Sequence, residues 1–314
     1  MTKFTIGVDI SKSTLDVFRL EDGALNQFAN SPVGFKALIK WLGDLPIKRI
    51  VFEPTGSYHR AFEKTFGGTF PMVKVNPLQA RRFAQASGTR AKTDAVDARG
   101  LAAMGAALNL RPQNPISENE RILKDFHVAR ASLIKERSRL RNRLQTQTIP
   151  LLKRQSRARL TQVERQIIEL DAAIAAIIGQ EEGMARQRDI LCSIPGLGPV
   201  TSAALLTLLP ELGTLDRKKV ASLAGLAPFS RQSGRWQGKT FIGGGRKPLR
   251  DALYMPALVA AARFNPDLKS KYEQLRAAGK PAKVAIVAVM RKLLETANAL
   301  IKADRFWAKK TDCA

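Results

Sequence analysis

A chain of 314 residues, 45% of them hydrophobic, can bury one large core or two modest ones, and its length favours about two domains. Its 52 lysines and arginines against 27 acids give a formal charge of +25 and a pI near 10.6, which calls for a polyanionic partner. Two distant cysteines, Cys192 and Cys313, exclude a disulfide framework and a zinc site, and no apolar run reaches the roughly 18 residues that cross a membrane, so a cytoplasmic protein is expected.

The first predicted element is a β-rich run, Phe4 to Val8, ending in Asp9. Thr14 to Leu20 and Ala24 to Ala29 follow as strands around the Asp22-Gly23 turn and make a three-stranded meander. Ser31 to Trp41 reads as a helix with Ser31 as cap and Pro32 at its first position. Lys48 to Phe52 is a buried strand ending in Glu53, Tyr58 to Phe66 a helix, and Met72 to Val75 a further strand. Strands alternating with helices indicate an α/β layer fold with a mixed sheet.

Strand signals cease near Asn76. Glu118 to Ile178 is free of glycine, contains the single proline Pro150, and predicts two long helices. Between residues 121 and 159 stand twelve basic residues and two acids, Asp125 and Glu136. A local excess of ten charges needs a compensating anion, so this stretch, with Arg137, Arg139, Arg141 and Arg143 at its centre, is expected to meet phosphate. Val163 to Ile178 has apolar positions at helical spacing and suits a coiled-coil seam with another subunit. Gly179 to Gly183 reads as a linker to an all-helical second domain. There Ile194-Pro195-Gly196-Leu197-Gly198-Pro199 resembles a helix-hairpin-helix motif, and a simple turn between packed helices accounts for it equally well.

Four carboxylates carry the chemistry. Asp9 and Glu53 each end an apolar strand and project from one sheet edge, while Asp94 and Asp97 lie three residues apart on one face at the start of a predicted helix. Capping by Thr93 or Asp94 and a favourable helix dipole would explain the second pair alone. Four oxygen donors from separate elements also suit a pair of divalent metals, Mg²⁺ by preference, activating oxygen for phosphodiester displacement. A second candidate is Ser233, in a glycine-rich stretch where Arg231, Arg235, Lys239, Arg246, Lys247 and Arg250 are six basic residues without an acid. Its hydroxyl could attack phosphorus if activated, Ser230 is an equally placed competitor, and a serine in a loop is usually a turn former. His59 adjoins the Glu53 segment, where a polar surface position is the simpler expectation.

Gly7-Val8-Asp9-Ile10-Ser11-Lys12, Phe52-Glu53-Pro54-Thr55-Gly56, Lys92-Thr93-Asp94-Ala95-Val96-Asp97-Ala98, Gly225-Leu226-Ala227-Pro228 and Gln232-Ser233-Gly234 together resemble the DEDD transposases of the IS110 family of insertion sequences and the related Piv-type DNA invertases. The resemblance runs nearly end to end, through Leu253-Tyr254-Met255 and Gly279-Lys280-Pro281-Ala282-Lys283. It implies an α/β plus all-α chain: a RuvC-like, ribonuclease-H-like domain over 1–117, long basic helices and coiled coil over 118–182, and a helical C-terminal transposase domain over 183–314. It further implies that Asp9, Glu53, Asp94 and Asp97 hold Mg²⁺ and that Ser233 joins covalently to a DNA phosphate. Donor and target DNA, a structured guide (bridge) RNA, and a homodimer assembling into a homotetramer are the implied partners, with the acidic domain of one subunit completing the serine site of another. Ser57, where glycine is common, and His59, where an acid is frequent, depart from the family pattern.

Three other classes share some of these features. A junction-resolving nuclease would use the acidic residues alone with water as nucleophile. An actin-like ATPase or sugar kinase also begins with a Gly-x-Asp strand turn, yet gives the basic helices no role. A noncatalytic packaging protein shares the charge and needs no carboxylate cluster.

Overall fold

In the computed structural model, which describes residues 3–88, 93–230, 232–234, 236–238 and 240–308, the chain divides into two units, 1–116 and 117–314. The first unit runs β1 (Phe4–Ile10), β2 (Thr14–Arg19), β3 (Leu25–Ala29), α1 (Pro32–Leu42), β4 (Ile47–Phe52), α2 (His59–Phe66), β5 (Met72–Lys74), α3 (Pro77–Ala86) and α4 (Asp94–Ala107). Its sheet has the order β3-β2-β1-β4-β5, antiparallel through the opening meander and parallel from β1 to β4 to β5. Alternation along the strands divides the side chains between two faces. Ile6, Val8, Ile10, Leu15, Val17, Ile50 and Phe52 meet Phe35, Leu38 and Leu42 of α1 and Phe62 and Phe66 of α2. The opposite face presents Phe18, Val51 and Val73 to Ala98, Leu101, Ala102 and Met104 of α4. The result is a mixed sheet with helices on both faces.

Helix starts follow local chemistry. Ser31 Oγ accepts from the Gly34 N–H with Pro32 in the first turn, as expected, and Asn76 caps α3, an element the sequence reading left unassigned. Thr93 caps α4, accepting from the Val96 N–H at 3.3 Å.

Two close contacts seat α4. A Cβ on Gly7 would stand 2.0 Å from the Ala98 carbonyl oxygen and 2.6 Å from the Ala102 nitrogen, so only glycine lets the helix backbone lie this near β1. At the far end the buried guanidinium of Arg49 donates to the carbonyls of Gly105 and Leu110, each at 2.6 Å, and to Asn109 Oδ1 at 2.9 Å. A cation there meets the negative end of the helix dipole and its orphan carbonyls.

The second unit contains α5 (Glu118–Thr146), α6 (Pro150–Gln180), α7 (Glu182–Ser193), α8 (Pro199–Leu208), α9 (Arg217–Leu223), the two-residue strands β6 (Pro228–Phe229), β7 (Gln232–Ser233), β8 (Trp236–Gln237) and β9 (Phe241–Ile242), then α10 (Lys247–Val259), a π-helical turn (Ala260–Phe264), α11 (Pro266–Ala277) and α12 (Ala282–Lys302). A capping box between Ser117 and Glu120 starts α5, and Pro150 at the first position of α6 separates the two long helices.

Three expectations need correction here. The apolar seam of α6 is occupied within the chain: Val163 and Ile167 pack on Leu140 of α5, while Ile174 and Ile178 enter the core that holds Leu205, Leu253 and Leu293. The Gly179–Gly183 stretch is only a break at Glu181 between α6 and α7, so the long helices share a core with the C-terminal helices instead of standing apart. The second unit is also not all-helical, since β6 pairs with β9 and β7 with β8. No helix among the described residues is long and apolar enough to cross a membrane.

Candidate functional site

The acidic residues are gathered by strand register. Asp9 lies on the α4 face of β1, two residues beyond Gly7, and is paired directly with Asp16 of β2. On the other side β4 pairs Phe52 with Val8, and Glu53, the next residue after the strand, adds its charge to those that act on Asp9. Because α4 is pressed onto β1 at Gly7 through Ala98 and Ala102, its first turn, which carries Asp94 and Asp97, is brought to the same end.

Their proximity is registered electrostatically. The Asp9 carboxyl is pushed up from 3.8 to about 6, first by burial and then by the charges of Asp94, Asp97, Glu53 and Asp16. The other three predicted acidic residues all act on Asp9, and Asp16 joins them. Among the described residues no three carboxylates, histidines or cysteines stand close enough to enclose an ion as they lie. The cluster is an open row, half-buried at Asp9, Glu53 and Asp97 and exposed at Asp94. Its donors are all carboxylate oxygens, the set that hard divalent cations such as Mg²⁺ take.

Asp16 escaped the sequence reading. It is 8% exposed and accepts hydrogen bonds from Gln27 Nε2 of β3 at 3.0 and 3.3 Å. The available signal was its placement: an acid between Leu15 and Val17 in a strand paired antiparallel through a short turn with the strand of Asp9. His59 is not a surface residue as expected. Its side chain is 13% exposed, its ring lies 6.3 Å from that of Phe52, and its Nε2 is 3.6 Å from Glu63, which also takes Lys74 at 2.7 Å. Burial, then the Lys74 charge, holds the imidazole below its ordinary value.

In the second unit Ser233 is exposed at the end of β7, paired with Trp236 across a two-residue connection in which Gly234 has φ +56°. Such a connection needs positive φ, which glycine adopts without strain. Ser230 is also exposed, so exposure does not separate the two hydroxyls. Arg231, Arg235 and Lys239 lie outside the described residues, as does Lys92. Arg246 and Arg250, expected to meet nucleic acid, are half-buried and hold partners within the chain. Arg246 makes a bidentate pair with Glu211 at 2.6 and 2.7 Å and donates to the Leu208 carbonyl, and Arg250 donates to the carbonyls of Ala224 and Gly244. They fasten the base of the β-stranded segment, where Gly225 and Gly245 meet backbone to backbone. Lys247 is exposed and paired with Asp251 at 2.6 Å.

Along α5, Arg139, Arg141 and Arg143 are exposed and Arg137 is half-buried; Arg141 pairs with Glu164 of α6 at 2.6 Å. From residue 137 to 163 the hairpin carries eight basic residues and no acid, a cationic surface around its connection. The helix-hairpin-helix-like turn packs tightly, since a Cβ on Gly196 would lie 2.6 Å from Ala260 Cβ, while Gly198, Pro199 and Val200 remain exposed at the start of α8. A cavity of about 210 Å³ beside it, lined by His127, Arg130, Ile178, Arg188 and Val200 among others, contains none of the acidic or serine candidates.

A mixed sheet that lines up carboxylates, joined to a basic helical unit, defines a class of protein that acts on nucleic acid. Comparison with known proteins makes this specific. A family model described as "Transposase", of the DEDD type of IS110, matches residues 6–149, and a second, "Transposase IS116/IS110/IS902 family", matches residues 188–273. The pilin gene-inverting proteins of Moraxella bovis and Moraxella lacunata are each 31% identical over 99% of this chain and 99% of their own. An insertion element IS110 protein of Streptomyces coelicolor is 29% identical over 48% of this chain and 36% of its own. The chain belongs to the IS110 family of transposases, DNA recombinases of insertion sequences.

Proposed function

We propose that this transposase cuts and rejoins DNA by attack of Ser233 on phosphorus, supported by a divalent-cation site made of Asp9, Glu53, Asp94 and Asp97. The observation that carries the reading is the row of carboxylates: three strands and a helix N-terminus converge negative charge in a chain of net charge +25. Buried like charges raise the free energy of the site, and a cation relieves that cost. The mixed sheet with helices on both faces supports a RuvC-like, ribonuclease-H-like nuclease core.

Bound Mg²⁺ would supply charge neutralisation at the reacting phosphate and a lowered proton affinity for the attacking oxygen. The chain's own residues do the rest. Asp9 and Glu53, fixed on neighbouring strands, orient the donor set, and Asp94 and Asp97 close it from α4. Ser233 stands at a glycine turn that lets a sugar-phosphate backbone come near. Its Oγ forms a bond to phosphorus as the phosphorus–sugar oxygen bond breaks; a carboxylate of the cluster takes the hydroxyl proton and hands it to the departing sugar oxygen, which leaves as a hydroxyl. Attack of a second sugar hydroxyl on the phosphoserine diester reverses these steps and seals a new strand. The cationic α5–α6 surface suits donor and target DNA and a structured guide RNA. A homodimer assembling into a homotetramer, in which one copy's acidic cluster serves another's Ser233, and a cytoplasmic setting complete the reading.

The test uses the full chain with the element's ends and its copurified RNA. Wild-type protein should give a covalent protein–DNA adduct and joined products. Ser233→Ala should lose both, and Asp9→Asn should lose both while retaining DNA binding. An adduct that survives in Ser233→Ala and vanishes in Ser230→Ala would transfer the nucleophile to Ser230. Cleavage without any adduct would establish hydrolysis by a junction-resolving nuclease instead.

A further inference from the structure

The feature the function leaves unexplained is Asp16, an acid sealed into the sheet beside another acid. A side chain directly opposite Asp9 in an antiparallel pair has its Cβ about 4.5–5.5 Å away, on the same face. Two carboxylates so placed destabilise a sheet, and threonine or valine would serve the strand better. Asp16 nevertheless is buried to 8% exposure, and Gln27 of the edge strand β3 spans to it with both of its carboxylate oxygens in reach, at 3.0 and 3.3 Å. That donor fixes the carboxylate without neutralising it, since a primary amide carries no charge. Asp16 thus has its hydrogen bonds supplied from β3, on the side of β2 away from Asp9.

We propose that Asp16 is a positioning residue of the divalent-cation site, a buried charge held by Gln27 that orients Asp9 and raises the site's affinity for a divalent cation without ligating it. This rests on the reading of Asp9, Glu53, Asp94 and Asp97 as a cation site. Groups behind the ligands commonly govern affinity by 10–100-fold, because they set ligand orientation and basicity.

Calorimetric titration of the full-length protein with Mg²⁺ and with Mn²⁺ tests it. Asp16→Asn keeps the size and an acceptor for Gln27 and removes only the charge, so the association constant should fall about 10–100-fold while far-ultraviolet circular dichroism is unchanged. Gln27→Lys covers the case in which that variant misfolds, because β3 is an edge strand that tolerates lysine. An ammonium beside an intact Asp16 should weaken binding about tenfold. Wild-type affinity in either folded variant, with binding still abolished by Asp9→Asn, overturns the role of Asp16 and leaves the cation site standing. Wild-type protein that binds no divalent cation, or binds it equally after Asp9→Asn, overturns the cation site and this inference with it.

Discussion

At the scale of single residues, the acidic row works against the stability of its own fold. Asp9 is neutral in the unfolded chain only below its ordinary 3.8, whereas in the folded protein it holds its proton up to about 6. The sign follows from linkage: a carboxyl with a raised folded value favours the native state at low pH, and that contribution disappears as pH rises from about 4 to 6. Above pH 6 the ionised cluster is a cost. Asp9→Asn should therefore protect the β1 and β4 amides of the metal-free protein at pH 7.5 more strongly than wild type in hydrogen exchange, by roughly 1–2 kcal/mol once solvent screening of a half-open site is allowed for. The difference should close below pH 4, and a variant no more stable than wild type at pH 7.5 would show that the charges do not oppose one another. Arg49 is the converse case. Arg49→Met leaves three acceptors at the end of α4 without their donor, at a cost of about 3 kcal/mol, and urea titration of the first unit measures it.

At the scale of elements, α4 is the part on which geometry depends. Gly7→Ala alters none of the acids, yet its methyl would collide with the backbone at Ala98 and Ala102, so the helix must shift outward and carry Asp94 and Asp97 with it. Misplacement by about 1 Å commonly costs on the order of 100-fold in rate. Strand joining by Gly7→Ala should fall by at least that order with DNA binding kept, measured by recombination and by gel shift on the same preparation. Gly100, on the same helix, has open space where a Cβ would be; Gly100→Ala should stabilise by roughly 0.5–1 kcal/mol and leave joining intact. Helix and strand positions were legible where the chemistry is local: Ser31 with Pro32, Pro150, the Asp22-Gly23 turn, and the β-rich runs of β1 and β4 all placed elements within a residue or two. Asp9, Glu53, Asp94 and Asp97 could be picked out because each ends a strand or starts a helix. What stayed hidden depends on long-range contact. Asp16 and Arg49 carry no local signal of the partners that the sheet and α4 bring to them, the α6 seam has a partner in its own chain, and the pairing of Arg246 with Glu211 shows only once the two stand side by side.

At the scale of the whole molecule, the net charge of +25 does not act as one uniform field, because many of the cations are already committed. Arg246 belongs to Glu211, Arg130 to Asp171, and Arg141 to Glu164, while Arg139 and Arg143 are exposed on the acid-free part of the α5–α6 hairpin. A bound phosphate releases condensed counterions for each cation that meets it, so the dependence of binding on salt counts contacts: each adds about 0.9 to the slope of log K against log salt on duplex DNA. Replacing Arg139 and Arg143 together by glutamine should lower that slope by about 1.8 and weaken binding similarly on unrelated sequences, because phosphate contacts carry no base information. Arg246→Gln should leave the slope unchanged and instead loosen the β-stranded segment around Ser233, seen as faster hydrogen exchange in β6 and β9. If the slope responds to Arg246 and not to the α5 pair, the nucleic acid lies along the serine segment and the long hairpin's charge serves another purpose. The two measurements together separate cations that hold the protein from cations that hold its substrate.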